Sequence, residues 1–198
     1  MTTPTKLTID DIADLRAYER ERDEFRARII ELKKRRRVSV GPFITLVFEN
    51  RDTVRFQIQE MARAEKIITD EGVQHELDTY NPLIPEPGVL SARLFIELTG
   101  EVDLQTWLPK LVGIEAAVEL RFDGSVLDNV VDEDHADQLT RDTTTASVHY
   151  VRFELTPAQV EVFGAEPVRL AVAHPSYEFE TVLAAEAVAE LRRDLTGA

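Results

Sequence analysis

Val38-Ser39-Val40-Gly41-Pro42-Phe43-Ile44-Thr45-Leu46-Val47-Phe48 reads as extended chain broken by a turn. Val38 and Val40 precede the Gly41-Pro42 punctuation. Ile44, Leu46 and Phe48 then alternate with Thr45, Val47 and Glu49, the period of a strand. Glu49-Asn50-Arg51-Asp52 turns the chain. The next stretch is ambiguous. Val54, Phe56 and Ile58 alternate like another strand, yet Val54, Ile58, Met61, Ala62, Glu65 and Ile68 share a helical face, and Gln57 to Lys66 is rich in helix formers. A helix beginning near Asp52 is favoured.

Upstream, the chain is helical in pattern. Thr8 is suited to capping, and Asp10 and Asp11 suit the positive end of a helix dipole. Ile12, Leu15, Tyr18, Phe25, Ile29 and Leu32 then form one stripe at steps of three or four, interrupted at Arg22, where a break is conceivable. The stripe ends in Lys33-Lys34-Arg35-Arg36-Arg37. Downstream, Asp70 to Tyr80 predicts a short helix stopped by Asn81-Pro82, and Pro82 to Gly88 a stiff loop that should pack onto something. Ser91–Leu98, Ala116–Phe122, Ser147–Leu155, Val168–Ala173 and Tyr177–Leu183 read as strands. Short helical pieces fall after Asp103 and at Thr156-Pro157, and Ala184 to Leu195 forms a closing amphipathic helix. The expectation is one α+β domain: a mixed, mostly antiparallel sheet of five or six strands, helices on one face, residues 8–37 as a long charged N-terminal arm and 38–198 as the body.

Composition narrows the chemistry. The 198 residues include no cysteine, which removes disulfides, thiolate metal sites and cysteine nucleophiles. No run is apolar enough to span a membrane and no targeting segment is visible, so a cytoplasmic location is expected. The net charge is −14, but residues 1–37 hold 11 Lys/Arg against 8 Asp/Glu. An acidic body repels nucleic acid, which leaves only the basic helix end for such a role. Gly-x-Ser-x-Gly, Glu-x-x-His and the glycine-rich nucleotide fingerprints are absent.

Several blocks are distinctive: Lys33 to Gly41, Phe48 to Thr53, Phe56 to Met61, Tyr80 to Pro85, Ser147 to Phe153 and His174-Pro175-Ser176-Tyr177. Together they resemble a bacterial family of unknown function, DUF3501, over nearly the whole chain. The resemblance implies no defined activity. It implies a neighbourhood of rubrerythrin-like and iron–sulfur oxidoreductase proteins, hence a redox-linked accessory role and a redox-protein partner.

Candidate sites each carry a plainer alternative. Asn50, Arg51 and Asp52 combine helix-start amides with a guanidinium, as an anion site would, or simply turn and cap. His149 and Arg152 lie on a strand; His149 shares a face with Val151 and Phe153, and is either a general base or a core histidine. Tyr80 and Asn81 open the Tyr80–Pro85 loop, which would close such a pocket. Glu71 and His75, four apart, are a weak metal pair beside Glu60 and Asp78, or a solvated face. Asp132, Asp134 and His135 form a weaker cation candidate. His174 belongs to turn chemistry. Lys33, Lys34, Arg35, Arg36 and Arg37 would grip phosphate or dock an acidic partner, or only complement the helix end. The leading expectation is a non-catalytic accessory or ligand-binding domain with no cofactor, dimeric through its first helix. An enzyme or metal-binding protein with a pocket at Asn50, Arg51, Asp52 and His149 is the alternative, and a nucleic-acid-associated protein the second.

Overall fold

The computed structural model describes residues 6–130, 140–141 and 143–197. Its order begins with helix α1 (Leu15–Arg36), strands β1 (Arg37–Val40) and β2 (Ile44–Phe48), and helices α2 (Arg51–Glu65) and α3 (Asp70–Tyr80). Strand β3 (Val89–Ile96), helix α4 (Glu101–Trp107) and strands β4 (Val118–Phe122), β5 (Ser125–Asp128), β6 (Thr140–Arg141), β7 (Thr144–Thr145) and β8 (Val148–Glu154) follow. Helix α5 (Pro157–Val162), strands β9 (Arg169–His174) and β10 (Tyr177–Val182) and helix α6 (Ala185–Thr196) complete it. None of these helices is long and apolar enough to cross a membrane.

The α+β class stands, but the sheet is divided. β1-β2-β3-β8 make one four-stranded sheet and β10-β9-β4-β5 a second, both antiparallel throughout. Their inner faces meet in one core that joins Val40, Ile44, Leu46, Leu94 and Phe153 to Leu120, Leu170, Val172 and Phe163. A strand's period says which residues share a face; it does not say which strands share a sheet. Strand β5, which the sequence hides among acidic residues, pairs with β4 across Asp123-Gly124. Both turn residues have positive φ, 48° and 69°, as a two-residue hairpin of this twist requires.

The sheets join at the β1–β2 hairpin. Tyr177, at the start of β10, donates its hydroxyl hydrogen to the Val40 carbonyl at 2.7 Å and accepts from the amides of Phe43 and Ile44. Its ring packs between Phe43 and Phe179, with centroids 4.7 and 4.6 Å away.

Helices α1, α2 and α3 lie over the outer face of the first sheet and keep two small cores of their own. Tyr18, Phe25 and Ile29 of α1 meet Phe56 of α2; Val54 and Ile58 of α2 meet Leu77 of α3, together with Leu7 and Ile84. So the α1 stripe is covered within the chain, and residues 51–65 are helix, as their apolar spacing favours. Thr8 caps only a single 3-10 turn, and α1 proper begins after Asp14, whose side chain accepts from Ala17 N. Arg22 does not break the helix. It occupies the stripe because α2 presents Glu60 there: Arg22 binds both carboxylate oxygens at 2.8 and 2.9 Å, and the buried Tyr18 hydroxyl donates to Glu60 at 2.7 Å.

Arg22 and Tyr18 together hold the Glu60 carboxyl down at about 2, against an ordinary 4.5. A carboxylate depressed on folding contributes stability above its unfolded value and loses it as pH falls through the folded one. The melting temperature of Glu60→Gln should therefore lie below wild type at neutral pH. The gap should close between pH 4.5 and about 2; a gap independent of pH would sink the assignment.

Candidate functional site

Asn50 is the N-cap of α2: its side chain accepts from Thr53 N at 2.9 Å while Thr53 Oγ1 accepts from Asn50 N. Arg51 reaches back to Asp11 at 2.6 Å, and Asp52 is exposed in the first turn. Asn81 clamps the N-terminal segment, its amide pairing both ways with the backbone of Leu7, while Ile84 is buried beneath it. The Tyr80–Pro85 loop thus packs onto residues 6 and 7.

His149 stands on the inner face of the first sheet, 1% exposed, beside Val151 and Phe153. Its Nε2 contacts Ala146 O at 2.9 Å and Thr145 Oγ1 at 2.8 Å. A carbonyl only accepts, so Nε2 carries the proton. Burial pushes the imidazole below its usual value, against the pull of Glu115, whose carboxylate lies 3.7 Å from Nδ1. His149 pairs in register with Leu94, a core residue, whereas the helices lie on the opposite face. Asn50, Arg51 and Asp52 therefore do not converge with His149 on one pocket. Arg152 points to the outer side and pairs with Glu154 at 3.0 Å.

Glu71 and His75 are exposed on α3, and no group of three potential metal ligands occurs among the described residues. The Asp132, Asp134 and His135 candidate lies outside the described residues. His174 does serve its turn: its Nδ1 accepts from Ser176 N.

The basic run is engaged inside the chain. Lys34 pairs with Glu31, Arg35 with Glu190, Arg36 with Asp194 and Arg37 with Glu97. Lys33 alone has no carboxylate within ion-pair distance among the described residues. Its half-buried ammonium sits 5.6 Å over the Phe56 ring.

Lys33 leads to a cluster that the candidate list only grazes. The chain leaves β2 at Glu49, which is 1% exposed. Its carboxylate accepts from Arg93 Nε and from Thr53 Oγ1. Arg93 lies on β3, on the outer face opposite Ala92 and Leu94, and its NH1 donates to Gln57 of α2. Its side chain keeps 14% of its exposure. Tyr80, half-buried at the end of α3, has its hydroxyl under the influence of Gln57, Glu76, Tyr150 and Arg93, and burial raises its pKa. Tyr150 pairs in register with Arg93. Burial lowers the Lys33 amine, opposed by Glu49 and assisted by Arg93. Arg93 thus meets the Glu49 carboxylate among tyrosines and an amide, with Lys33 in electrostatic reach of both. The signal in the sequence is Arg93, the one charge inside a strand that is apolar but for Ser91; its partner Glu49 is 44 residues away and only the topology unites them.

Two stacked antiparallel sheets under a three-helix layer, with a polar cluster between layer and sheet, define the class as an α+β domain. The chain belongs to the DUF3501 family of proteins of unknown function, whose profile matches residues 6–195. It is also similar to a novel protein of unknown function from Burkholderia pseudomallei K96243, known from a crystal structure. The TM-score is 0.87 at 40% identity, covering 98% of this chain and 100% of that one. A comparison with curated proteins finds no match.

Proposed function

We propose that this chain is a non-catalytic, ligand-binding accessory domain, and that its site is the cluster of Lys33, Glu49, Gln57, Tyr80, Arg93 and Tyr150, taking a small anion. The observation that carries this reading is Arg93. Glu49 and Gln57 hold its Nε and NH1, which fixes the guanidinium plane, while NH2 has no hydrogen bond among the described residues. A guanidinium so oriented presents a preformed donor edge, and little side-chain entropy is lost when an anion meets it. Lys33 adds the charge that Glu49 leaves uncompensated, and hydroxyl groups provide orientation. An accessory role beside a redox protein is compatible with this site, which needs no cofactor.

Calorimetric titration with inorganic phosphate and with lactate tests the reading. Arg93→Gln should weaken binding about tenfold or more, since a hydrogen bond to a charged group contributes roughly 1.5–3 kcal/mol. Arg121→Gln, on the other sheet, should change nothing. Absence of binding of either anion by the wild-type protein would end this proposal.

A further inference from the structure

We propose that the groove between the start of α1 and the α2–α3 turn is a second binding site, and that its ligand is a free aliphatic amino acid such as leucine. This site is independent of the cluster around Arg93. Lys33 and Tyr80 lie at the ends of α1 and α3, whereas the groove opens at the starts of both helices.

The floor of the groove is apolar and already built. The cavity measures about 300 Å³. Ile9, Ile12 and Leu15 line it from the first segment, and Ile67, Ile68 and Val73 from the turn and α3. Gln59, fully buried on α2, exchanges both hydrogen bonds with the backbone of Ala13, at 2.8 and 3.1 Å. Lys66 ends α2 in the left-handed region, φ 57°, which returns Ile67 N to the Ala62 carbonyl at 2.9 Å. Ile67 then packs over Gly72, where a Cβ would come within 2.5 Å of Ile67 Cγ2. Walls fixed in this way lose little freedom when the groove is filled. Ile68 remains 82% exposed at the rim, apolar surface that a ligand would cover.

Three charged side chains line the same cavity: Asp14, Arg16 and Asp70. Asp14 is occupied as the cap of α1, accepting from Ala17 N at 2.9 Å. The side chains of Arg16 and Asp70 have neither a hydrogen bond nor an ion pair among the described residues, and they do not pair with each other. One cation and one anion thus stand unpaired and apart on the wall of an apolar groove. An alkylamine would satisfy Asp70 alone, and an aliphatic carboxylate Arg16 alone. A ligand that carries an aliphatic side chain, a carboxylate for the Arg16 guanidinium and an ammonium for Asp70 satisfies floor and both charges together. An α-amino acid bears all three on one carbon. The cavity has the volume of about ten waters at roughly 30 Å³ each, and leucine has about that many non-hydrogen atoms.

Calorimetric titration of the full chain with L-leucine tests the assignment. Binding is expected. Glycine, isoamylamine and isocaproate should each bind at least about tenfold more weakly, because each lacks one of the three contacts. Arg16→Gln and Asp70→Asn should each cost about tenfold or more in leucine affinity. Both positions are exposed, so unchanged melting temperatures should accompany the loss. Arg121→Gln, on the second sheet, should leave leucine affinity as it is. With methyl-labelled isoleucine, added leucine should shift the resonances of Ile9, Ile12, Ile67 and Ile68 but not those of Ile44 and Ile114 in the core between the sheets. That measurement reads the location in wild type, whether or not a variant folds. Absence of leucine binding, equal affinity for isoamylamine or isocaproate, affinity indifferent to both substitutions, or shifts confined to the core isoleucines would each overturn the site.

Discussion

Arg36→Ala is expected to destabilise the protein by about 3–5 kcal/mol, the cost of leaving a buried charge without its partner. Arg36 is 1% exposed at the end of α1. Its two terminal nitrogens bind both oxygens of Asp194 at 2.7 and 2.8 Å, and NH1 also donates to the Glu49 carbonyl at 3.3 Å. Glu190 stands 3.6 Å from NH2 and is shared with Arg35 and Arg193. Removal of the guanidinium strands Asp194 inside the protein. At this chain length each kcal/mol moves the melting temperature by about 2–4 °C, so a fall of about 10 °C should appear in a thermal scan. Arg36→Met with Asp194→Leu should recover most of it, because two apolar groups leave no buried charge. Burial already raises the Asp194 carboxyl above its usual value, despite the pull of Arg36. Without Arg36 that rise grows. A raised carboxyl binds a proton in the folded state that the unfolded chain lacks, so stability is recovered as pH falls. The deficit of Arg36→Ala should therefore shrink from about pH 8 to about pH 5. A deficit constant over that range, or one below about 1 kcal/mol, would show that the pair is not the clasp described.

Gly41→Ala is the second large effect, about 2–5 kcal/mol. Gly41 has φ +71°, where an L side chain costs roughly 1–2 kcal/mol. A Cβ there would lie 2.5 Å from the Tyr177 hydroxyl and 2.6 Å from Phe179 Cγ, adding overpacking of about 1–3 kcal/mol. Gly124→Ala separates the two causes. Its φ is +69° and nothing lies within 4 Å of its Cβ, so only the backbone cost should appear. Equal chemical-denaturation midpoints for the two variants would contradict the close approach of β10 to the hairpin.

The same pair of glycines illustrates what is legible in the chain. Asp123-Gly124 and Gly41-Pro42 announce turns by type alone, and the period-two runs around them announce strands. That two sheets meet at Tyr177 depends on contacts more than 130 residues apart, which no local pattern carries. The α1 stripe was readable because 3.6 residues per turn leaves a periodic trace, and its exception at Arg22 was readable as an exception. The reason for it, Glu60, sits on another helix. The site divides in the same way. Glu49-Asn50-Arg51-Asp52 draws attention as a polar block. Asn50 and Asp52 serve the helix start and Arg51 pairs with Asp11, while Glu49 turns inward to Arg93. Period-two reasoning set His149 on the face of Val151 and Phe153, where it lies; that this face is the core between two sheets required the second sheet.

The Arg36–Asp194 clasp also has a temporal meaning. Its partners are 158 residues apart, and Arg35 and Glu190 are 155 apart. A ribosome delivers α1 well before α6, so over that interval the cationic end of α1 has no counterpart and no reason to be buried. The helical layer and the first hairpin can form in that interval, but the interior seat of Arg36 cannot be filled until residue 194 has emerged. Long-range closure of this kind slows folding. Helix α6 therefore acts as a latch: the buried seat of Arg36 fills only once α6 has docked.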